Sequence, residues 1–399
     1  MSVYDELVGQ DRVVAQIRQA AAAAARVVTG DTSGGGSGGM THAWLFTGPP
    51  GSGRSVAARA FAAALQCRHQ GTPEQGCGTC DGCHQVLAGT HADIEVIRPS
   101  GLSYSVKQTR ELVLRSSTAP SAGNWQIVLF EDADRATEQA ANALLKAIEE
   151  PPDRTVWLLC TPSPDDLVVT IRSRCRLVTL STPPSRAVAD VLARRDGIDP
   201  QTALSAARAA QGHIGRARRL ATDEAARARR DEVLSVPREL RAIDGCLAAA
   251  DRLVKAAEAE AAATTAELDE SEKSELRRAY GEGATGKGVT KAVRGSAGAM
   301  RALEDRQKSR ATRLKRDALD RTLMDLAGYY RDGLTIQIGA DVELANSERA
   351  EELRRYAASC APEATLRRLE AIMQCRERID ANANPLLAVE AMTLAIRSG

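Results

Sequence analysis

The chain has 399 residues, enough for two or three separately cored domains, and its 53 Lys and Arg against 52 Asp and Glu leave a formal charge of +1. So even a balance excludes whole-chain attraction to nucleic acid or to a membrane surface, and any such contact must be local. Aromatic residues make up 3% of a composition rich in Ala, Leu, Arg and Glu, which favours helices packed through small side chains.

The opening MSVYDELVGQDR carries neither the cationic start nor the apolar core of a secretory signal. No apolar run approaches the roughly 18 residues that span a bilayer, so a cytosolic protein without membrane contact is expected. Residues 10–28 read as a helix, followed by a Gly/Ser-rich surface loop at Gly30–Gly39. Short apolar runs then alternate with helix-length patterns: Trp44–Thr47, Ile94–Ile97, Ile127–Phe130, Val156–Cys160 and Leu177–Leu180. That alternation predicts a parallel sheet with crossover helices. Runs such as IVLF and VWLLC lack polar alternation, as in strands covered on both faces.

After Pro183-Pro184 the strand signals mostly stop. Residues 185–222 fit about three short helices, and the remainder is almost wholly helical. Between Lys255 and Arg316 charges of both signs crowd the sequence, interrupted by GEGATGKG at Gly281–Gly288, which reads as an exposed helical hairpin or a partly disordered insertion. Asn384 followed by Pro385 marks the start of a last amphipathic helix.

Two motifs carry chemistry. Gly48-Pro-Pro-Gly51-Ser52-Gly53-Arg54-Ser55 lies between a strand pattern and a helix pattern beginning near Val56, the setting in which backbone N–H groups cradle phosphates. Arg54 stands where a lysine normally reaches the β- and γ-phosphates, and a forked guanidinium does not simply replace a compact ammonium. After IVLF comes Glu131-Asp132, the reverse of the order in which an Asp organises magnesium and a Glu polarises water. Displacing each carboxylate by a methylene predicts negligible hydrolysis by the isolated chain. The second motif is Cys67, Cys77, Cys80 and Cys83, whose spacing suits a tetrahedral, closed, structural Zn2+ site; neighbouring His84 is expected at the surface. The other cysteines, Cys160, Cys175, Cys246, Cys360 and Cys375, are expected to pack as small apolar residues.

In order along the chain, LVGQ at Leu7–Gln10, HAWLFTGPPGSGRS at His42–Ser55, the four-cysteine insert, NALLKAIEEPP at Asn142–Pro152 and IRSRCR at Ile171–Arg176 resemble bacterial DNA polymerase III clamp-loader subunits. The specific motifs cover about residues 4–220, and the terminal NPLLAVE is similar to the close of the family's collar. The resemblance implies a RecA-like AAA+ α/β P-loop domain over 1–182 with a zinc insert at 67–83. It implies further a helical lid over 183–225 and an all-α collar over 226–399 that carries the charged insertion at about 255–316.

It also implies that Arg174, in Ser173-Arg174-Cys175, is an arginine finger acting on the ATP site of an adjacent subunit, and that Thr161 is a polar sensor at a strand end. In GHIGRA, Arg216 stands one place beyond the nucleotide-sensing arginine of the motor subunits, leaving Gly215 there. With Arg54 and Glu131-Asp132, this favours the delta-prime type over gamma and tau, with a degenerate nucleotide site at which ATP and Mg2+ binding stays open. Partners implied are gamma/tau, delta, the sliding clamp and, through the assembly, primed DNA. An ATPase motor of the gamma/tau type and a zinc-containing DNA-binding regulator remain the alternatives.

Overall fold

The computed structural model describes residues 2–30, 39–99, 101–280 and 289–399, with the side chains of 289–297 excepted. Most of the Gly/Ser-rich loop at Gly30–Gly39 and all of GEGATGKG fall outside the described residues. By contact density the chain divides into two compact units, Met1–Pro99 with Ser103–Arg218, and Arg219–Gly399 with Ser100–Leu102.

In the first unit the order is α1 (Asp11–Thr29), β1 (Ala43–Thr47), α2 (Arg54–Leu65), α3 (Asp81–Ala88), β2 (Ile94–Ile97), α4 (Val106–Ser116), β3 (Gln126–Phe130), α5 (Glu138–Glu149), β4 (Thr155–Thr161), α6 (Val169–Arg172), β5 (Arg176–Thr179), α7 (Ser185–Asp196) and α8 (Pro200–Ala209). The strands form one parallel sheet, β2-β3-β4-β1-β5. Each predicted apolar run is one of these strands, within a residue or two at either end. β1, β3 and β4 are buried along their whole length, because helices cover both faces of the sheet. Trp44, Phe46, Ile127 and Leu129 face α1 and α2, while Leu45, Val128, Phe130 and Trp157 face α4 and α5. Alternate residues of one strand therefore serve two cores.

After β5, the expected three short helices are α7, α8 and α9 (Ile214–Thr222). The second unit continues with α10 (Glu224–Glu239), α11 (Ile243–Ala279), α12 (Val289–Gln337), α13 (Ala350–Ser359), α14 (Pro362–Asp380) and α15 (Pro385–Ser398). Asn384 caps α15 as expected, accepting from the N–H groups of Leu386 and Leu387, with Pro385 at the first helical position. The core runs from Val233 to Ala257 on α10 and α11 and resumes at Ala318 on α12, with Tyr329, Tyr330, Ile372, Val389 and Met392. The charged stretch lies beyond it as the paired distal parts of α11 and α12. Among the described residues no helix is long and apolar enough to cross a membrane.

Candidate functional site

The phosphate loop leaves the end of β1 and enters α2, at the carboxyl edge of the sheet where ligands of open parallel sheets bind. Two glycines there are obligatory. A Cβ on Gly48 (φ +153°) would lie 2.5 Å from the Leu180 carbonyl oxygen, and one on Gly51 (φ +88°) would lie 2.6 Å from the Cβ of His213. His213 thus backs directly onto the loop, and its Nδ1 accepts from the N–H of Arg216, 3.2 Å away. Gln10 pins the loop from the other side. Its Nε2 donates to the carbonyls of Ser52 (3.3 Å) and Ser181 (2.5 Å), and its Oε1 accepts from the N–H of Ser181.

Arg54 turns back on its own loop, donating from Nη1 to the carbonyl of Gly48. Val56 is exposed on the first turn of α2, and Ser52 is buried. The buried thiol of Cys160 on β4 is pushed up by burial and, less, by the Glu131 carboxylate, against the opposing pull of Arg54.

Glu131 follows β3 and is nearly buried. Arg98 holds both its oxygens, from Nε to Oε2 at 2.8 Å and from Nη2 to Oε1 at 3.1 Å, while Arg59 of α2 stands 3.8 Å away. The forked hydrogen bond to Glu131 holds the Arg98 guanidinium above its ordinary range. The backbone here is fixed as well: Tyr104 donates to the carbonyls of Ile97 and Glu131, and Asp132 adopts φ +49°. Thr161, fully buried at the end of β4, donates to the Ser163 carbonyl at 3.0 Å. The Glu131 carboxylate is thus paired within the chain by Arg98, with Arg59 nearby.

Arg174 lies between α6 and β5 with a different character. Its Nη1 donates to the Thr170 carbonyl at 2.8 Å and its Nη2 meets Glu149, the last residue of α5, at 2.5 Å; the two side chains are 39% and 40% exposed. An ion pair this open to water is worth little and exchanges readily. Cys175 beside it is half-buried, and burial pushes its thiol up to about 12.

In the cysteine insert, Cys67 Sγ lies 4.0 Å from Cys77 Sγ and 3.8 Å from Cys80 Sγ. Around a tetrahedral Zn2+ with bonds of roughly 2.3 Å, neighbouring sulfurs stand about 3.8 Å apart, so the spacing fits. The donor atoms of Cys67, His69, Cys77 and Cys80 lie within 4.8 Å of one another. Cys83 is buried, with Sγ 3.5 Å from the Ala63 carbonyl, and burial chiefly raises its thiol. Burial also raises the Cys77 thiol, but hydrogen bonds led by those from Thr79 outweigh it and bring the group down to about 5, the thiolate form that metals bind. Three of the four predicted cysteines are therefore brought together with His69, and Cys83, the fourth of the predicted set, stands outside that group. His84 is exposed as expected.

Reasoning from sequence did not find Arg98, Arg59, His69 or His213. His69, two places after Cys67, is a metal-ligating residue type within the cluster's own spacing; nothing local marks the other three. Of the scattered cysteines, Cys160, Cys246 and Cys375 are buried. Cys360 departs from the apolar expectation: it is half-buried, with Sγ 3.2 Å from Arg368 Nη1.

A parallel sheet bearing a phosphate loop at its carboxyl edge, followed by short helices, defines the class as a P-loop protein of the AAA+ type. Residues 35–184 match the family model described as DNA polymerase III, delta subunit. The chain is 35% identical over 178 residues to DNA polymerase III subunit delta' of Escherichia coli, covering 44% of this chain and 53% of that protein. It is 32% identical over 192 residues to DNA polymerase III subunit gamma/tau of Mycobacterium tuberculosis, covering 48% of this chain and 31% of that protein. Over this region the chain is similar to the delta, delta' and gamma/tau subunits of DNA polymerase III. It spans about half the length of the delta' relatives and about a third of gamma/tau. A solved gamma subunit-related protein of Thermotoga maritima aligns over 95% of this chain and 99% of its own at 17% identity, with a TM-score of 0.40, and adds nothing to the assignment.

Proposed function

We propose that the chain is the delta-prime-type subunit of a clamp loader: a cytoplasmic protein that does not hydrolyse ATP itself and lends Arg174 to the ATP site of a neighbouring subunit. The observation that carries this reading is the grip of Arg98 on both oxygens of Glu131. A carboxylate so held does not order magnesium or polarise water, and Arg54 is bonded to the loop it would have to leave. Arg174, by contrast, has an open ion pair with Glu149 and exposed hydrogen bonds to Thr170 and Ser173 to exchange when it turns to a phosphoryl group.

Residues 1–182 act as the AAA+ domain, 183–225 as its lid and 226–399 as the collar, with gamma/tau and delta subunits, the sliding clamp and primed DNA as partners. Zn2+ is held by Cys67, Cys77, Cys80 and Cys83 as a structural ion that ties the insert to the end of α2. The similar identity to gamma/tau supports a second reading, an ATPase motor. Purified chain separates the two. The delta-prime reading expects no turnover above background and co-purification with the other loader subunits and the clamp. Robust turnover abolished by Glu131→Ala establishes the motor, and failure of the loader subunits to co-purify rejects both.

A further inference from the structure

The distal parts of α11 and α12 form an arm in which four acidic residues of α11 are engaged across the helix pair. Glu258 pairs with Lys315, Glu260 with Arg321 at 3.0 Å, Asp269 with Arg310, and Glu272 with Arg310 at 2.6 Å and Gln307 at 3.1 Å. Carrying the Asp269–Arg310 register outward sets Arg301 level with Arg277 and Arg278. All three are exposed, Arg277 with Glu270 at 3.8 Å, and the described residues 273–280 and 298–301 hold four Lys and Arg against one Glu. The chain as a whole is balanced to a single charge, so this end of the arm is a local concentration of positive charge.

One aromatic side chain stands within it. Tyr280 caps the end of α11 and is 37% exposed. Every Phe and Trp and four of the other five tyrosines are buried; the fifth, Tyr356, is half-buried and stacks with Tyr329 and Tyr330. Tyr280 is the most exposed of the chain's Phe, Trp and Tyr side chains. The combination suits a ligand with regularly spaced negative charges and accessible flat faces.

We propose that Arg277, Arg278 and Arg301 with Tyr280 form a contact for single-stranded DNA, the arginines on phosphates and the tyrosine stacked on a base. A duplex buries its base faces in its own stack, and an acidic polypeptide offers the ring nothing to stack on, so an unpaired strand uses all four residues. The choice of DNA rests on the clamp-loader reading; the contact itself rests on the arm.

The test is fluorescence anisotropy of a labelled oligothymidylate with the full isolated chain, titrated with salt. Because no other subunit is present, a negative result leaves the co-purification test of the clamp-loader reading untouched. Tyr280→Ala is expected to weaken binding about tenfold and Tyr280→Phe to preserve it. The double variant Arg277→Ala/Arg278→Ala is expected to lower the slope of log affinity against log salt by about 1.4. Circular dichroism of each variant should match the parent, since the replaced side chains are exposed. Unchanged affinity in Tyr280→Ala, equal competition by polyglutamate, or tighter binding of duplex or of an oligouridylate overturns the proposal.

Discussion

Two sets of charges in the first unit are arranged in opposite ways. Around the phosphate loop, Arg98 and Arg59 converge on the Glu131 carboxylate, which is nearly sealed from water, and Arg54 is spent on the Gly48 carbonyl. At the end of α6, Arg174 keeps an exchangeable partner and a solvent-facing guanidinium. The same residue type is a fixed brace in one place and a movable group in the other, and burial of the partner carboxylate makes the difference.

The largest effect expected from breaking that contrast is on the exposed side. Arg174→Ala should lower hydrolysis at the neighbouring site of the reconstituted complex by about 10³–10⁵, the usual worth of an arginine finger. Co-sedimentation should show assembly intact, and hydrolysis at the parent rate would remove Arg174 from the mechanism.

Next is the metal. Cys67→Ser or Cys80→Ser should weaken zinc binding by more than the roughly 10–100-fold that outer-shell partners command, read by competition with a chelating dye. Cys83→Ser should match that loss and His69→Ala should not; the reverse pattern gives the fourth position to His69.

On the sealed side the effect is on stability. Arg98→Ala leaves the Glu131 charge with only the more distant Arg59. Because the Arg98 side chain is itself 57% exposed, the cost should be about 1–3 kcal/mol, below that of a fully buried pair. Calorimetry should record a melting transition lowered by about 4 °C. Glu131→Gln should cost less, and an unchanged transition in Arg98→Ala would mean that the pair braces nothing.

The smallest effect belongs to the arm. Arg310 and Gln307 hold the Glu272 carboxyl at about 2, below its ordinary 4.5. Its folded-state pKa is depressed, so the stability it contributes is fully present above about pH 4.5 and is lost as pH falls toward 2. Hydrogen exchange of the amides around Glu272 should quicken over that window, and Glu272→Gln should flatten the dependence.

The sheet was legible because its strands are bare apolar runs set between helix-length patterns, and a strand buried on both faces has no other way to be written. The glycine loop and the cysteines were legible because their spacing is local. Arg98 was not: it sits 33 positions before Glu131, and only the pairing of β2 with β3 brings the two together. His213 was hidden for the same reason, since its contact with Gly51 depends on the chain returning after β5. Tyr280 reads as one more residue in a charged stretch until the burial of the other aromatic side chains singles it out.

Gln10 has a mechanical consequence. One carboxamide, tucked out of solvent before α1, grips both the turn that precedes α2 and the strand exit at Ser181 that leads to α7. Any swing of the segment beyond Ser181 must either drag the glycine turn along or snap this rivet, so the two travel as a single part while the amide holds.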